Sequence, residues 1–120
     1  AAAIFARDSQ LVRECDIVAA NLHPFRGAEP DSGTCFELGL AYGLGKKLYG
    51  YAPGGTMAER IGQFYGPVSE SADGRIADSD GFTVEKFGSP VNLMISVPAT
   101  IVVGGLEDCL RQIQADEAAQ

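Results

Sequence analysis

Residues 17–22 read Ile-Val-Ala-Ala-Asn-Leu, a short apolar run that ends at a His-Pro step. A run of this length with almost no alternating polar residues is typical of a strand buried on both faces, as in parallel sheets. Ahead of it, Ile4, Asp8, Leu11 and Cys15 recur at helical spacing, as on one side of an amphipathic helix. The sequence therefore predicts a helix followed at once by a buried strand, with Asp8 on the apolar face of that helix.

The rest of the chain alternates strands and helices in the same way. The predicted elements are a loop at 23–34, a helix at 36–44, a strand at 48–51, a short helix at 57–64, a strand at 100–103 and a helix from residue 106. Residues 65–81 are polar and rich in Gly, Ser and Asp, which predicts a mobile connection. The alternation predicts a single α/β domain over residues 1–120. We expect a doubly wound, mainly parallel sheet in a flavodoxin-like or Rossmann-like three-layer arrangement.

Composition excludes several classes of protein. Of the 120 residues, 46% are hydrophobic and 21% charged, so disordered, collagen-like and disulfide-knot classes are excluded. No apolar run reaches the roughly 18–20 residues that a membrane span needs. The net charge of −7 repels phosphate backbones, so we expect no nucleic-acid partner and a small, uncharged ligand. The three cysteines lack C-x-x-C spacing, which predicts reduced thiols and a cytoplasmic location.

Glu37 is the first candidate for chemistry. It lies near the start of its predicted helix, and Leu40, Ala41 and Leu44 share its face. Apolar neighbours strip water from a carboxylate while a helix N-terminus favours its anion, which suits a nucleophile or a base. The alternative is purely structural. Thr34-x-x-Glu37 matches a capping box, in which Glu37 only reaches back to a backbone N–H.

Asp8 and Asp31 are the other candidate carboxylates. Asp8 lies on the helix that leads into the strand before the Glu37 loop, and a pair of carboxylates in different environments can break a glycosidic bond. A helix cap beside Ser9, or a partly exposed acid near a helix end, would explain Asp8 equally well. Asp31 belongs to a Pro-Asp-Ser-Gly run, which in isolation is a turn.

Other chemistries have weaker support. The glycines of Gly39-x-x-x-Gly43-x-Gly45 lie within and after a helix, so they form no phosphate-binding loop. His23 is the single histidine and has no serine or cysteine partner in an identifiable elbow. No EF-hand spacing is present.

Two segments resemble a known family. Residues 15–39, CDIVAANLHPFRGAEPDSGTCFELG, resemble the signature of the nucleoside 2-deoxyribosyltransferases in its protist-like PFRG-x-EPDSGT variant. Residues 88–94, GSPVNLM, are similar to the later G-x-P-x-N-L-M segment of that family. The matches lie in the expected order, and together with the preceding helix they account for most of the chain.

The resemblance implies a role for five residues. Glu37 matches the nucleophile that attacks C1′ of a 2′-deoxynucleoside, Asp31 the acid that binds the sugar hydroxyls, and Asp8 the acid that assists departure of the base. Asn92 matches a residue that reaches the sugar in a neighbouring subunit's site, and Met94 accompanies it. A dimer-based homo-oligomer would then be needed for catalysis.

The implied reaction exchanges free nucleobases on 2′-deoxynucleosides, for nucleotide salvage, through a covalent deoxyribosyl-Glu37 intermediate. Two inversions at C1′ give net retention, and neither a metal nor an organic cofactor is required. An N-glycoside hydrolase of the same fold is an alternative, although Asp31 stands where hydrolases of nucleoside monophosphates tend to carry serine. A non-catalytic flavodoxin-like binding domain is another. Family members also begin with a strand and a helix that have no counterpart before Ala1, which implies that the given chain lacks this part of the domain.

Overall fold

A computed structural model describes all 120 residues and places a parallel three-stranded sheet between helices. The elements in chain order are α1 (Ala2–Glu14), β1 (Ile17–Asn21), α2 (Ser32–Gly43), β2 (Lys47–Ala52), α3 (Met57–Tyr65), β3 (Ser69–Glu70), β4 (Ile76–Ala77), β5 (Thr83–Val84), α4 (Leu93–Ser96), β6 (Thr100–Val103) and α5 (Leu106–Ala118). The larger sheet has the order β1-β2-β6 with every pair parallel. The predicted α/β fold with a parallel sheet is confirmed.

Adjacent residues of β2 show why the sheet has helices on both faces. Leu48 is buried in the main core together with Leu38 and Ala41 of α2. Tyr49 points the opposite way, because successive side chains of a strand alternate, and its hydroxyl donates a 2.7 Å hydrogen bond to Asp116 of α5. Helices α2 and α5 therefore cover opposite faces of β2, and the molecule has three layers.

Gly50 lies in β2, the central strand of the larger sheet. It pairs with Ala20 in the sheet, and the side chain of Leu22, which is only 1% exposed, lies directly over its Cα. A Cβ at Gly50 would overlap the Leu22 Cδ1 atom. Because Gly50 has no side chain, the Leu22 side chain can pack into the core at this position.

The prediction of a mobile connection at 65–81 does not describe the structure well. Strands β3, β4 and β5 form a small antiparallel sheet, with Ile76 paired to Val84. Val84 is buried against Met57 and Ile61 of α3, in a second small core. This core attaches the small sheet to α3. None of the helices is long and apolar enough to cross a membrane.

Candidate active site

Helix α2 presents three faces to its surroundings. One face is buried against the sheet, one flank lines a pocket beside α1, and the other flank lines a groove beside α4. The buried face holds Leu38 and Ala41. The flank beside α1 holds Gly33, Phe36, Glu37 and Leu40, and the flank beside α4 holds Cys35, Gly39 and Tyr42. Spacings of three and four residues produce these faces, because such residues are neighbours on a helix surface.

The pocket beside α1 brings Asp8 and Glu37 together. It has a volume of about 350 Å³, and Phe5, Ser9, Gly33, Phe36 and Leu40 complete its lining. No lysine or arginine is among its lining residues. The pocket combines two carboxylates with apolar walls, and it offers no cation to neutralise a phosphate.

Glu37 takes no part in capping α2, so the capping-box interpretation is wrong. The N-cap is Asp31, whose Oδ2 accepts hydrogen bonds from the Thr34 amide at 3.0 Å and the Thr34 hydroxyl at 3.2 Å. Glu37 lies in the second helical turn, beyond the first turn where the positive end of the helix acts most strongly. Its half-buried side chain makes none of the ion pairs in the chain and faces the pocket.

Asp8 lies in the interior of α1, so the cap interpretation is also wrong for this residue. Its Oδ1 accepts a 3.0 Å hydrogen bond from Nε of Arg7, and solvent reaches both side chains of this ion pair, which are 69% exposed for Arg7 and 42% for Asp8. Exposed pairs of this kind contribute little to stability, about 0–1 kcal/mol. The carboxyl group therefore retains access to the pocket and to solvent, as a group that exchanges protons with a ligand must.

Asn92 and Met94 lie on the other side of α2. They line a groove of about 870 Å³ whose wall includes Leu93, Val97 and Tyr42. Asn92 is the N-cap of α4, and its Oδ1 accepts a 2.8 Å hydrogen bond from the Met94 amide. Within one chain, the structure therefore joins Asp8 to Glu37 but does not join Asn92 or Met94 to them. Asp31 stands at the start of α2, between the pocket and the groove.

The loop that leads to Asp31 is held by α3. The Tyr65 hydroxyl accepts a 3.1 Å hydrogen bond from the Ala28 amide, and a Cβ at Gly27 would overlap that hydroxyl. Arg26 has a φ of 54°, in the left-handed region that few residues other than glycine adopt. The tight backbone of this loop explains why the segment Phe-Arg-Gly needs its glycine.

Sequence reasoning missed Arg60 and the aromatic rim of the pocket. Arg60 is buried, and its spacing from Met57 and Ile61 already places it on the apolar face of α3, the same signal that singled out Asp8. Phe5 and Phe36 form an aromatic pair with ring centroids 5.9 Å apart. Both rings are more than half exposed beside the pocket.

Comparison with known proteins adds independent support. The sequence model of the family Nucleoside 2-deoxyribosyltransferase matches residues 1–94. The chain belongs to the nucleoside 2-deoxyribosyltransferase family. The family resemblance seen in the two sequence segments is thereby confirmed.

A solved structure of this family supports the same assignment at the level of the fold. It is a 2-desoxiribosyltransferase from Leishmania mexicana, 38% identical in sequence, which superposes with a TM-score of 0.75. The match covers 93% of this chain and 66% of that chain, so this chain spans just under two thirds of the length of that structure. Comparison with curated proteins finds no match.

Proposed function

We propose that this domain transfers the 2-deoxyribosyl group between nucleobases. The observation that carries the proposal is that Asp8 and Glu37 line one small pocket in a member of the nucleoside 2-deoxyribosyltransferase family. Two carboxylates with different surroundings suit the cleavage of a glycosidic bond, because one can attack the sugar while the other handles the proton of the leaving group.

In the proposed reaction, a Glu37 carboxylate oxygen attacks C1′ of a 2′-deoxynucleoside as the bond from C1′ to the base nitrogen breaks. The electron pair of that bond leaves with the base, and the Asp8 carboxyl supplies a proton to it. A second base then attacks C1′ of the glycosyl ester from the face that the first base left and gives its N–H proton to the Asp8 carboxylate, which releases the Glu37 carboxylate and restores the Asp8 carboxyl. The two inversions return the original configuration at C1′.

Asp31 is proposed to bind the sugar hydroxyls. Its Oδ2 is engaged by Thr34, which leaves Oδ1 to accept a hydrogen bond from a ligand. Since neither Asp31 nor the pocket supplies a positive charge, nucleosides fit this site better than nucleotides do. Free nucleobases, also uncharged, are the proposed second substrate.

Asn92 and Met94 are proposed to act in the site of a neighbouring subunit, because α2 separates them from Asp8 and Glu37 in their own chain. Met94 is 76% exposed and Val97 79% exposed along the apolar groove, and contiguous exposed apolar surface marks interaction sites. A dimer-based homo-oligomer would bring Asn92 and Met94 to the pocket that holds Asp8 and Glu37 in a second subunit. All three cysteines are free, in keeping with a role in nucleotide salvage in the cytoplasm.

A base-exchange assay tests the proposal. The protein is incubated with one deoxynucleoside, with and without a second free base, and the new deoxynucleoside and free deoxyribose are quantified. We expect the new nucleoside to be the main product and Glu37→Ala to abolish its formation. Glu14→Gln is the matched control, since Glu14 lies on α1 outside the pocket.

Two results would overturn the proposal. Substantial base exchange by Glu37→Ala would remove Glu37 as nucleophile. Release of free deoxyribose at a rate that the second base does not change would instead identify a hydrolase.

A further inference from the structure

Arg60 is the single charged side chain that the fold buries. It is 5% exposed, and it takes part in no ion pair of the chain. Burial lowers the pKa of its guanidinium, as expected where a cation loses water. A buried cation is costly unless its donors are satisfied, so the position of Arg60 must be explained by its hydrogen bonds.

The guanidinium joins two segments that are distant in sequence. Nη1 donates to the carbonyl of Pro90, while Nη2 donates to the carbonyls of Gly54 at 3.1 Å and Pro53 at 3.4 Å. Pro53 and Gly54 directly follow β2, and Pro90 lies two residues before Asn92. Arg60 therefore connects the end of the central strand to the segment that carries Asn92 and Met94.

The same segment is fixed on its other side by the core. Val91, between Pro90 and Asn92, is fully buried. The Met57 amide donates a 2.9 Å hydrogen bond to the Ser89 carbonyl, one residue before Pro90. The chain around Pro90 and Val91 thus has little freedom, and the residues that follow it directly, Asn92, Leu93 and Met94, line the groove.

We propose that Arg60 is a positioning residue that holds Asn92 and Met94 in the orientation needed to meet the sugar in a neighbouring subunit's site. The proposal rests on the proposed function, which places those two side chains there. A lysine cannot replace Arg60 fully, because one ammonium lacks the planar fork that reaches both segments at once.

A double-mutant cycle tests whether Arg60 acts through Asn92. Arg60→Lys, Arg60→Met, Asn92→Ala and Arg60→Met/Asn92→Ala are compared by KM and kcat of base exchange. We expect Arg60→Met to raise the KM for the deoxynucleoside about tenfold, the effect of losing one hydrogen bond, with a smaller change in kcat. In the Asn92→Ala background, Arg60→Met should raise KM by a clearly smaller factor, because only the contribution of Met94 is then left to lose. Equal increases in both backgrounds would overturn the proposal.

Arg75→Met is the matched control. Arg75 also donates to a backbone carbonyl, that of Gly81, but it directly precedes β4 of the small antiparallel sheet and is exposed. Its KM should equal that of the unmodified protein. If Arg60→Met fails to fold, Arg60→Lys is used instead. It keeps the positive charge and loses only the set of hydrogen bonds that joins the end of β2 to Pro90.

Amide hydrogen exchange without substrate separates this proposal from the proposed function. In Arg60→Lys, the amides of 91–95 should exchange faster while those of β1 and α5 keep their rates. Unchanged exchange at 91–95 would overturn the positioning role whatever the activity. A third outcome is that Arg60→Lys speeds hydrogen exchange at 91–95 while the unmodified protein has no base-exchange activity. That outcome would overturn the proposed function and leave the restraint by Arg60 established.

Discussion

Asp31 serves as the N-cap of α2 and is also a proposed ligand of the sugar. The two roles can be separated, because asparagine caps a helix as well as aspartate does but carries no charge. Asp31→Asn should keep the free energy of unfolding within about 0.5 kcal/mol, whereas Asp31→Ala should lose about 0.5–2 kcal/mol. Urea unfolding of the two variants checks these values.

Asp31→Asn also tests the role of Asp31 in binding the sugar. Asp31→Asn should raise the KM for the deoxynucleoside by about tenfold or more, since hydrogen bonds to charged groups contribute about 1.5–3 kcal/mol. A KM for Asp31→Asn equal to that of the unmodified protein would limit Asp31 to its structural role.

At the level of single residues, the sequence could place a side chain on a helix face but could not identify its contacts. Helical spacing alone put Asp8 and Glu37 on inner faces, and both line the pocket. The Thr34-x-x-Glu37 pattern predicts a cap between Thr34 and Glu37, whereas the structure forms one between Asp31 and Thr34. Which of them forms depends on where the helix begins, and α2 begins at Ser32, directly after Asp31.

Among the elements, the packing of Leu22 against Gly50 of β2 gives the first prediction of stability. Gly50→Ala should destabilise the fold by about 1–3 kcal/mol, because the new methyl group overlaps the buried Leu22 side chain. Gly62→Ala is the matched control within α3, where nothing lies within 4 Å of an added Cβ. It should stabilise by about 0.5–1 kcal/mol. Chemical unfolding of both variants should give opposite signs, and the same sign for both would contradict this packing.

The attachment of α5 to the sheet predicts a dependence on pH. The hydrogen bond to Asp116 is the main cause that raises the pKa of Tyr49 to about 12, with burial next. Since the folded protein holds this proton more tightly than the unfolded chain does, the stabilisation is complete below pH 10 and is lost as the pH rises through about 12.

Comparison with Tyr49→Phe isolates this effect from other titrating groups. At pH 8 the variant should be about 2 kcal/mol less stable, because a hydrogen bond to a carboxylate is lost. The difference in unfolding free energy should shrink above pH 10. A difference that stays constant up to pH 11.5 would show that the Tyr49 proton is not held by the fold.

The larger elements could be predicted from the sequence, and the smaller ones could not. Continuous apolar runs and three-to-four-residue spacing identify β1, β2, β6 and the long helices, because burial of these residues drives their formation. Strands β3 to β5 have two residues each, and only one of the six residues is buried, so they carry no hydrophobic pattern. They are formed by local turns and by the packing of Val84 on α3, which only the assembled fold provides.

For the molecule as a whole, the groove between α2 and α4 predicts self-association. Val97→Lys should weaken association by at least about tenfold, because an interface would have to bury the new charge. Sedimentation over a concentration series measures the effect. Phe82→Lys is the control, since Phe82 is 71% exposed on the small antiparallel sheet, away from the groove. Association of Val97→Lys that matches the unmodified protein would exclude the groove as the interface.

The assembly is the feature that the residue pattern predicts least. Tyr42, Met94 and Val97 have the spacing and composition of ordinary apolar residues, and only the fold shows that they are exposed along one groove. The expectation of an oligomer came from the resemblance of 88–94 to the family segment, and it remains a prediction.

The central claim, that Glu37 forms a covalent bond to the sugar, has a direct test. The protein is mixed with a deoxynucleoside in the absence of a second base, quenched in acid, digested and analysed by mass spectrometry. We predict that the peptide containing Glu37 gains the mass of one deoxyribosyl group, that adding a free base removes this adduct, and that Glu37→Gln never forms it. An adduct on another residue, or base exchange by a protein that forms no adduct, would contradict the account.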